Sequence, residues 1–183
     1  MSRFAQLLLA VVVGLYPFAV YFGIQYLSLG SLLLLLLAVA GLRLALGGRS
    51  AKTGARLVAV AMLIVAAFAW LRGDAQGLLW YPVLCNSILF AVFAYSLRQP
   101  QTIIERLARL REPDLPPAGV AYTRRVTQVW CGFFLLNGGI AAATALAGDM
   151  RLWTLYNGLI SYGLMGALFA GEWLLRQRLI QKV

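Results

Sequence analysis

Histidine is missing from this chain of 183 residues, and cysteine occurs only as Cys85 and Cys131. Without histidine the chain lacks the usual general base and the commonest metal ligand. Neither cysteine has a CxxC partner, and each lies inside an apolar segment, which indicates small buried side chains. The sequence also contains no acid pair, no aspartate-rich metal motif and no phosphate-binding loop. It therefore predicts no catalytic residue, no metal and no cofactor, and we expect a protein that is not an enzyme.

Charged residues are scarce as well: they make up 12% of the chain, against 62% hydrophobic residues and a mean hydropathy of +0.81. About a quarter of a soluble domain is charged, so this chain has too few charges to cover a surface in water. The formal net charge of +10 would suit nucleic acid, but the basic residues lie between apolar runs and not in one basic domain. That distribution is typical of membrane-protein loops, and we expect no nucleic-acid partner.

Six apolar runs have the length and composition of membrane-crossing helices, although the third is short and its ability to span alone stays open. They cover residues of about 4–24, 28–46, 55–71, 78–97, 126–147 and 152–175. The pattern predicts a single all-α domain over residues 1–183. This domain is a polytopic transmembrane bundle of about six helices.

The longest polar segment, residues 98–125, joins the fourth and fifth runs. Within it apolar residues recur at helical spacing, and Glu105 and Arg109 stand in the order that favours an i,i+4 ion pair. We expect a short amphipathic helix that ends before the prolines of residues 113–117. It would lie on the lipid headgroups, with a partner-binding helix as the alternative. Three arginines are then placed to bind anionic headgroups: Arg106, Arg109 and Arg111.

The basic residues also predict the orientation of the chain. Of the 16 lysines and arginines, all but Arg72 and Arg151 fall on the same side as the N-terminus when six spans are drawn. Basic loops stay in the cytoplasm. We therefore expect a multi-pass protein of the bacterial inner membrane with both termini and the 98–125 loop in the cytoplasm.

Asparagines occupy positions where the bilayer core is least tolerant of polar groups. Asn86 and Asn137 lie roughly 12 and 16 Å inside a core about 30 Å thick, and Asn157 is nearer the outer face of the sixth run. Because unpaired amides are costly in hydrocarbon, we expect these side chains to face other helices. They form either an interhelical clasp or a polar midplane site for a lipid headgroup or small solute.

At the inner face, Arg43 and Glu172 are a candidate ion pair. An ordinary interfacial charge is the alternative for Glu172, which is the one carboxylate close to the predicted membrane core. A proton-coupled mechanism would have few other groups to use.

Small residues recur every fourth position in the last two runs, as Gly139, Ala143 and Ala147 and as Gly163, Ala167 and Gly171. Small residues allow close approach of helices in lipid, where the hydrophobic effect between helices is weak. We expect these two stripes to pack the last two helices against each other or against a neighbour. A homodimer through the second stripe, Gly163, Ala167 and Gly171, is the alternative.

Several stretches between residues 80 and 166 carry a family resemblance. They are Pro82 with Asn86 and Leu89-Phe90-Ala91, the loop Pro100–Arg106, Trp130 with Phe133-Phe134 and Asn137, and Trp153–Gly163. In these residues the chain resembles the intracellular septation protein A family, the YciB/IspZ-like bacterial inner-membrane proteins. It departs from the family at Tyr81 and near Asn157, where lysines are expected. It is less closely similar to small membrane proteins encoded among aryl-polyene lipid biosynthesis genes.

The resemblance implies a protein of septation and cell-envelope maintenance that acts through division or envelope proteins or through lipid organisation. It implies no established catalytic activity. Two other functions stay open. One is a small carrier or flippase for a lipid-linked or small amphipathic molecule, which would use Asn86 and Asn137. The other is an accessory membrane protein of aryl-polyene or lipid biosynthesis.

Overall fold

The structure is a computed structural model that describes residues 16–46, 52–73, 75–110 and 112–180. These residues contain helices and connecting turns and no strand, which confirms the all-α prediction. The first helices are α1 (Tyr16–Tyr26), α2 (Leu29–Leu46) and α3 (Lys52–Arg72). A 3-10 helix, Ala75–Trp80, leads into α4 (Tyr81–Ser96), and α5 (Ile103–Arg109) is short. The long α6 is Pro117–Ala147, and α7 (Met150–Leu155) continues through a π-helical turn, Tyr156–Ile160, into α8 (Ser161–Ile180).

Three helical segments of the described chain are long and apolar enough to cross a membrane: Gln76–Ser96, Pro117–Ala147 and Met150–Gln177. They coincide with the predicted fourth, fifth and sixth runs. The second and third predicted runs are helical, as α2 and α3, but their apolar stretches are shorter. Most of the first run lies outside the described residues. The total of six spans therefore stays a prediction.

The predicted loop over 98–125 is wrong at its C-terminal end, because α6 begins at Pro117. Proline disrupts a helix when it lies in the interior, but it is tolerated in the first turn, where a backbone N–H has no partner within the helix. The short helix predicted inside the loop is confirmed as α5. The Thr102 hydroxyl caps its N-terminus by accepting a hydrogen bond from the Glu105 N–H at 3.3 Å.

Two glycines adopt the left-handed conformation that the connections require. Gly73 follows α3 with a φ of 68°, and Gly148 follows α6 with a φ of 69°. Gly77 does not have a positive φ. It lies in the 3-10 helix, where an added Cβ would approach the Ala69 Cα to 2.5 Å, so it is close packing that requires glycine there.

The chain divides into two compact units. The first unit comprises residues 1–85 and 140–162. Within it α2 packs on α3, α3 packs on the 3-10 helix, and α1 contacts α7. Its most buried side chains include Met62, Ala69, Leu78 and Trp153.

The second unit comprises residues 86–139 and 163–183. Aromatic rings from α4, α6 and α8 contact one another in this unit: Phe93, Trp130, Phe133, Phe134 and Phe169. The closest pair is Trp130 and Phe169, whose ring centroids are 4.6 Å apart. Tilted and edge-to-face contacts of this kind are favourable beyond the area they bury.

Large apolar side chains are widely exposed on the described helices. Leu34, Leu136 and Leu146 are each at least 70% exposed. In the most apolar 18-residue stretch of Met150–Gln177, only 6% of the residues are buried. Soluble monomers keep contiguous apolar patches small. Surfaces of this composition fit the hydrocarbon of a bilayer, where lipid covers them.

Candidate functional site

Helices α4 and α6 bring the two midspan asparagines together. The Asn137 Nδ2 donates a hydrogen bond to the Asn86 Oδ1 at 3.1 Å. Both side chains are buried, with 8% of Asn86 and 3% of Asn137 exposed. An amide pair shielded in this way satisfies polar groups that would otherwise be costly in hydrocarbon. We refer to this contact as the asparagine clasp.

Gly138 makes room for the asparagine clasp, and the sequence interpretation missed it. A Cβ added to Gly138 would lie 3.0 Å from the Asn86 Cβ, which is tighter than an ordinary van der Waals contact. The adjacent Gly139 faces open space, because an added Cβ there meets nothing within 4 Å. A glycine next to the buried Asn137 was the available signal, since small residues permit close approach of membrane helices.

Asn157 lies in the first unit, away from the residues of the clasp in sequence, and has partners of its own. Its Nδ2 donates hydrogen bonds to the Thr144 Oγ1 at 3.2 Å and to the Trp153 carbonyl at 2.9 Å. The Thr144 hydroxyl in turn donates to the Ala141 carbonyl at 2.8 Å. Asn157 therefore ties α6 to the segment after α7. Asn86 and Asn137 thus bind each other, whereas Asn157 binds Thr144 and the Trp153 carbonyl.

A π-helical turn surrounds Asn157. The Ser161 N–H donates to the Tyr156 carbonyl, five residues earlier, and the Tyr156 N–H is shared between the Leu152 and Trp153 carbonyls. The backbone hydrogen-bond pattern changes at this turn. The Trp153 carbonyl accepts from the Tyr156 N–H, and the Asn157 side chain supplies a second donor to the same oxygen. Turns of this type are frequent at functional sites.

Next to this turn, α7 carries one well-paired and one unpaired buried group. Trp153 is completely buried, and its indole Nε1 donates to the Leu79 carbonyl at 3.0 Å. The hydroxyl of Thr154, which is 9% exposed, has no hydrogen-bond partner. Among the described residues it is the one buried side-chain polar atom in that condition. Buried polar groups usually have partners, so this hydroxyl is expected to cost stability.

The candidate pair of Arg43 and Glu172 is not tested, because the side chain of Arg43 lies outside what the structure describes. The structure places Tyr122 beside Glu172. The Tyr122 hydroxyl lies 3.4 Å from the Glu172 carbonyl oxygen and 3.5 Å from Oε1. Both distances are at the long limit for a hydrogen bond, so the carboxylate is only weakly held.

The arginines expected to bind lipid headgroups are in different situations. Arg106 is exposed on α5. Arg109 forms the predicted ion pair, with its Nε and Nη2 each 2.9 Å from the Glu105 Oε1, and its Nη1 donates to the Pro113 carbonyl at 2.8 Å. Arg111 lies outside the described residues. The guanidinium of Arg109 is thus used within the chain.

Among the described residues the two small-residue stripes do not pack α6 against α8, so this part of the expectation is wrong, and packing against a neighbour stays a prediction. Added Cβ atoms at Gly139, Gly163 and Gly171 would meet nothing within 4 Å. The alanines of the stripes are exposed. The two helices instead contact each other through the rings of Trp130 and Phe169. A homodimer through Gly163, Ala167 and Gly171 stays a prediction.

The buried amides and hydroxyls can donate and accept hydrogen bonds but do not titrate near neutral pH. Among the described residues, no group of three or more cysteine, aspartate or glutamate side chains is placed to hold a metal ion. No protein-family model, curated protein or solved structure matches this chain. A proposal about function therefore rests on the residues and their geometry.

Proposed function

We propose that this chain is a multi-pass protein of the bacterial inner membrane that catalyses no reaction and serves septation or cell-envelope maintenance. It would act by holding envelope or division proteins, or by organising lipids. The three long apolar helices support its place in a membrane. The likeness of residues 80–166 to the septation protein A family supports the cellular role.

The asparagine clasp carries the preference for a structural role over transport. A carrier needs polar groups that can exchange their partners for a solute near the midplane. In this chain the two midspan amides bind each other, and the packing at Gly138 leaves little space beside Asn86. A fixed contact of this kind favours a stable framework over a carrier or a flippase for a lipid-linked molecule.

The proposal is tested by replacing Asn86 and Asn137 together with alanine and expressing the full chain at its normal level in a strain that lacks it. We expect a lower thermal stability but retained complementation, with envelope or division proteins still recovered after cross-linking in intact membranes. Loss of complementation at unchanged protein abundance, with accumulation of one lipid-linked or amphipathic molecule, would instead identify a carrier or an accessory protein of aryl-polyene biosynthesis.

The topology is part of the same proposal: six spans, with both termini and the α5 loop in the cytoplasm. Single cysteines introduced by Asp114→Cys or Ala147→Cys, in a background carrying Cys85→Ala and Cys131→Ala, are both at exposed positions. In intact cells, a membrane-impermeant thiol reagent should label the cysteine at 147 and not the one at 114. The reverse pattern would overturn the orientation.

The homodimer through Gly163, Ala167 and Gly171 has a similarly direct test. A substitution Gly163→Leu adds a side chain at a position where an added Cβ meets none of the described residues within 4 Å. It should therefore weaken a dimer without loss of the monomer fold, because small residues set the close approach in such contacts. Cross-linking in membranes at matched expression measures the dimer. An unchanged dimer fraction, or no dimer in the parent protein, contradicts this part of the proposal.

A further inference from the structure

The loop between α4 and α6 is held to the end of α4 by side-chain hydrogen bonds. The Ser96 hydroxyl donates to the Phe93 carbonyl at 2.7 Å and accepts from the Ile103 N–H at 3.2 Å. Thr102 and Glu105 at the start of α5 are almost completely buried, with 1% and 3% exposed. Helix α5 therefore has a defined position beside the last turn of α4.

Two arginines are used to brace this loop. Arg109 binds Glu105 and the Pro113 carbonyl, so it links α5 to the segment before α6. The Arg124 Nη2 donates to the Leu97 carbonyl at 2.7 Å, which ties α6 to the residue that follows α4. A cation is favourable at this place, because the last carbonyls of a helix carry partial negative charge.

Three other arginines remain on the surface of the same region. Arg98, Arg106 and Arg125 are exposed, and none has an ion-pair partner among the described residues. Two leucines of the α5 segment are also exposed, Leu107 by 56% and Leu110 by 81%. We call these five residues the loop surface. Exposed cations and exposed leucines in one short connecting region are typical of segments that lie at a membrane interface.

We propose that the loop surface binds the headgroups of anionic phospholipids in the leaflet that the α5 loop faces. Arg98, Arg106 and Arg125 would bind headgroup phosphates, and Leu107 and Leu110 would enter the boundary with the acyl chains. Guanidinium groups bind phosphate oxygens in a bidentate manner. The inference rests on the proposed membrane location of the chain. It goes beyond that location by assigning a lipid class and by excluding Arg109, whose guanidinium is already occupied.

A lipid fits the loop surface better than an acidic peptide does. Residues 97–116 connect two apolar segments that can cross a membrane, Gln76–Ser96 and Pro117–Ala147. The loop is thus held where lipid headgroups lie. Because hydrogen bonds fix the loop before any lipid arrives, little conformational entropy is lost on binding.

The test uses the full chain, delipidated in a neutral detergent and titrated with phosphatidylglycerol or with phosphatidylcholine. Lipid retention is read by native mass spectrometry. We expect a preference for phosphatidylglycerol that falls about fivefold for each arginine removed, and thus by about a hundredfold in the triple variant R98Q/R106Q/R125Q. The triple lysine variant should retain most of the preference. Arg151→Gln, at an exposed arginine of the first unit, is the matched control and should leave the preference unchanged.

Equal retention of phosphatidylglycerol by the parent protein and the triple glutamine variant would overturn the proposal. A loss of phosphatidylglycerol retention in Arg151→Gln as large as in the triple glutamine variant would overturn it as well. A melting temperature within a few degrees of the parent shows that the variant is folded. If the triple glutamine variant does not fold, the variant L107S/L110S replaces it in the test. This variant should also lower the retention of phosphatidylglycerol. Resistance of the parent protein to alkaline extraction from membranes tests the proposed location separately. A chain that resists extraction but has no lipid preference contradicts only this inference.

Discussion

The asparagine clasp and the Asn157 group solve the same problem by different means. In the clasp, two amides from regular helices bind each other, and Gly138 permits the close approach. At Asn157 a single amide binds a threonine hydroxyl and a backbone carbonyl within a π-helical turn. The first contact depends on the separation of two regular helices, whereas the second also depends on the local conformation of the π-helical turn. We therefore expect them to respond to different substitutions.

The largest effect should come from filling the space at Gly138. Gly138→Val places a branched side chain where even a Cβ lies 3.0 Å from the Asn86 Cβ. Overpacking of this kind costs about 2 kcal/mol, so we expect a clear fall in melting temperature in detergent. Gly139→Val is the matched control, because its added side chain enters open space. Equal falls in the two variants would mean that Gly138 has no special packing role.

Asn157→Leu should have the next largest effect. It removes the hydrogen bonds to Thr144 and to the Trp153 carbonyl while keeping a similar volume, and the loss is expected to be about 1–2 kcal/mol. Thermal unfolding measures it. Thr144→Val removes one of the two bonds and should cost less than Asn157→Leu. A larger loss in Thr144→Val than in Asn157→Leu would show that the π-helical turn does not depend on the asparagine side chain.

Removal of the clasp itself is best measured as a coupling energy. Asn86→Ala, Asn137→Ala and the double variant form a thermodynamic cycle that separates the shared bond from the other contacts of each residue. We expect a coupling of about 1 kcal/mol, in the range of hydrogen bonds between membrane helices. Additive losses, with no coupling, would indicate that the two amides do not depend on each other.

The smallest effect is expected at Thr154. Its buried hydroxyl has no partner, so Thr154→Val removes a polar group that contributes no bond. Stability should stay unchanged or rise by up to about 1 kcal/mol. Thr144→Val is the comparison, since the Thr144 hydroxyl both donates and accepts. Destabilisation by Thr154→Val as large as that by Thr144→Val would show that the Thr154 hydroxyl is bound.

The prediction of helices and of paired midspan amides was possible because both depend on regular geometry. The apolar runs predict the helices, and a constant rise per residue predicts similar depths for Asn86 and Asn137. The same reasoning missed the π-helical turn, since a change in backbone register leaves no mark in hydrophobic periodicity. It also misassigned the small-residue stripes, because spacing on one helix does not reveal which face meets a neighbour.

The loop illustrates a further limit. Glu105 and Arg109 were predictable as a pair because they lie on one helix face. The bond from Arg124 to the Leu97 carbonyl joins residues far apart in sequence. It becomes visible only when α4 and α6 are placed side by side. The division of the loop arginines into bracing and exposed groups therefore required the structure.

The closeness of α4 and α6 at the asparagine clasp is the central claim, and disulfide trapping measures it in native membranes. In a background with Cys85→Ala and Cys131→Ala, the pair N86C/G138C is combined with a protease site inserted after Asp114. The two Cβ atoms should lie near the separation that a disulfide requires. After mild oxidation and cleavage, the fragments should stay joined until reduced, whereas N86C/G139C should separate. If the fragments separate without reduction in both variants, or stay joined to the same extent in both variants, the close approach of α4 and α6 at Gly138 is contradicted.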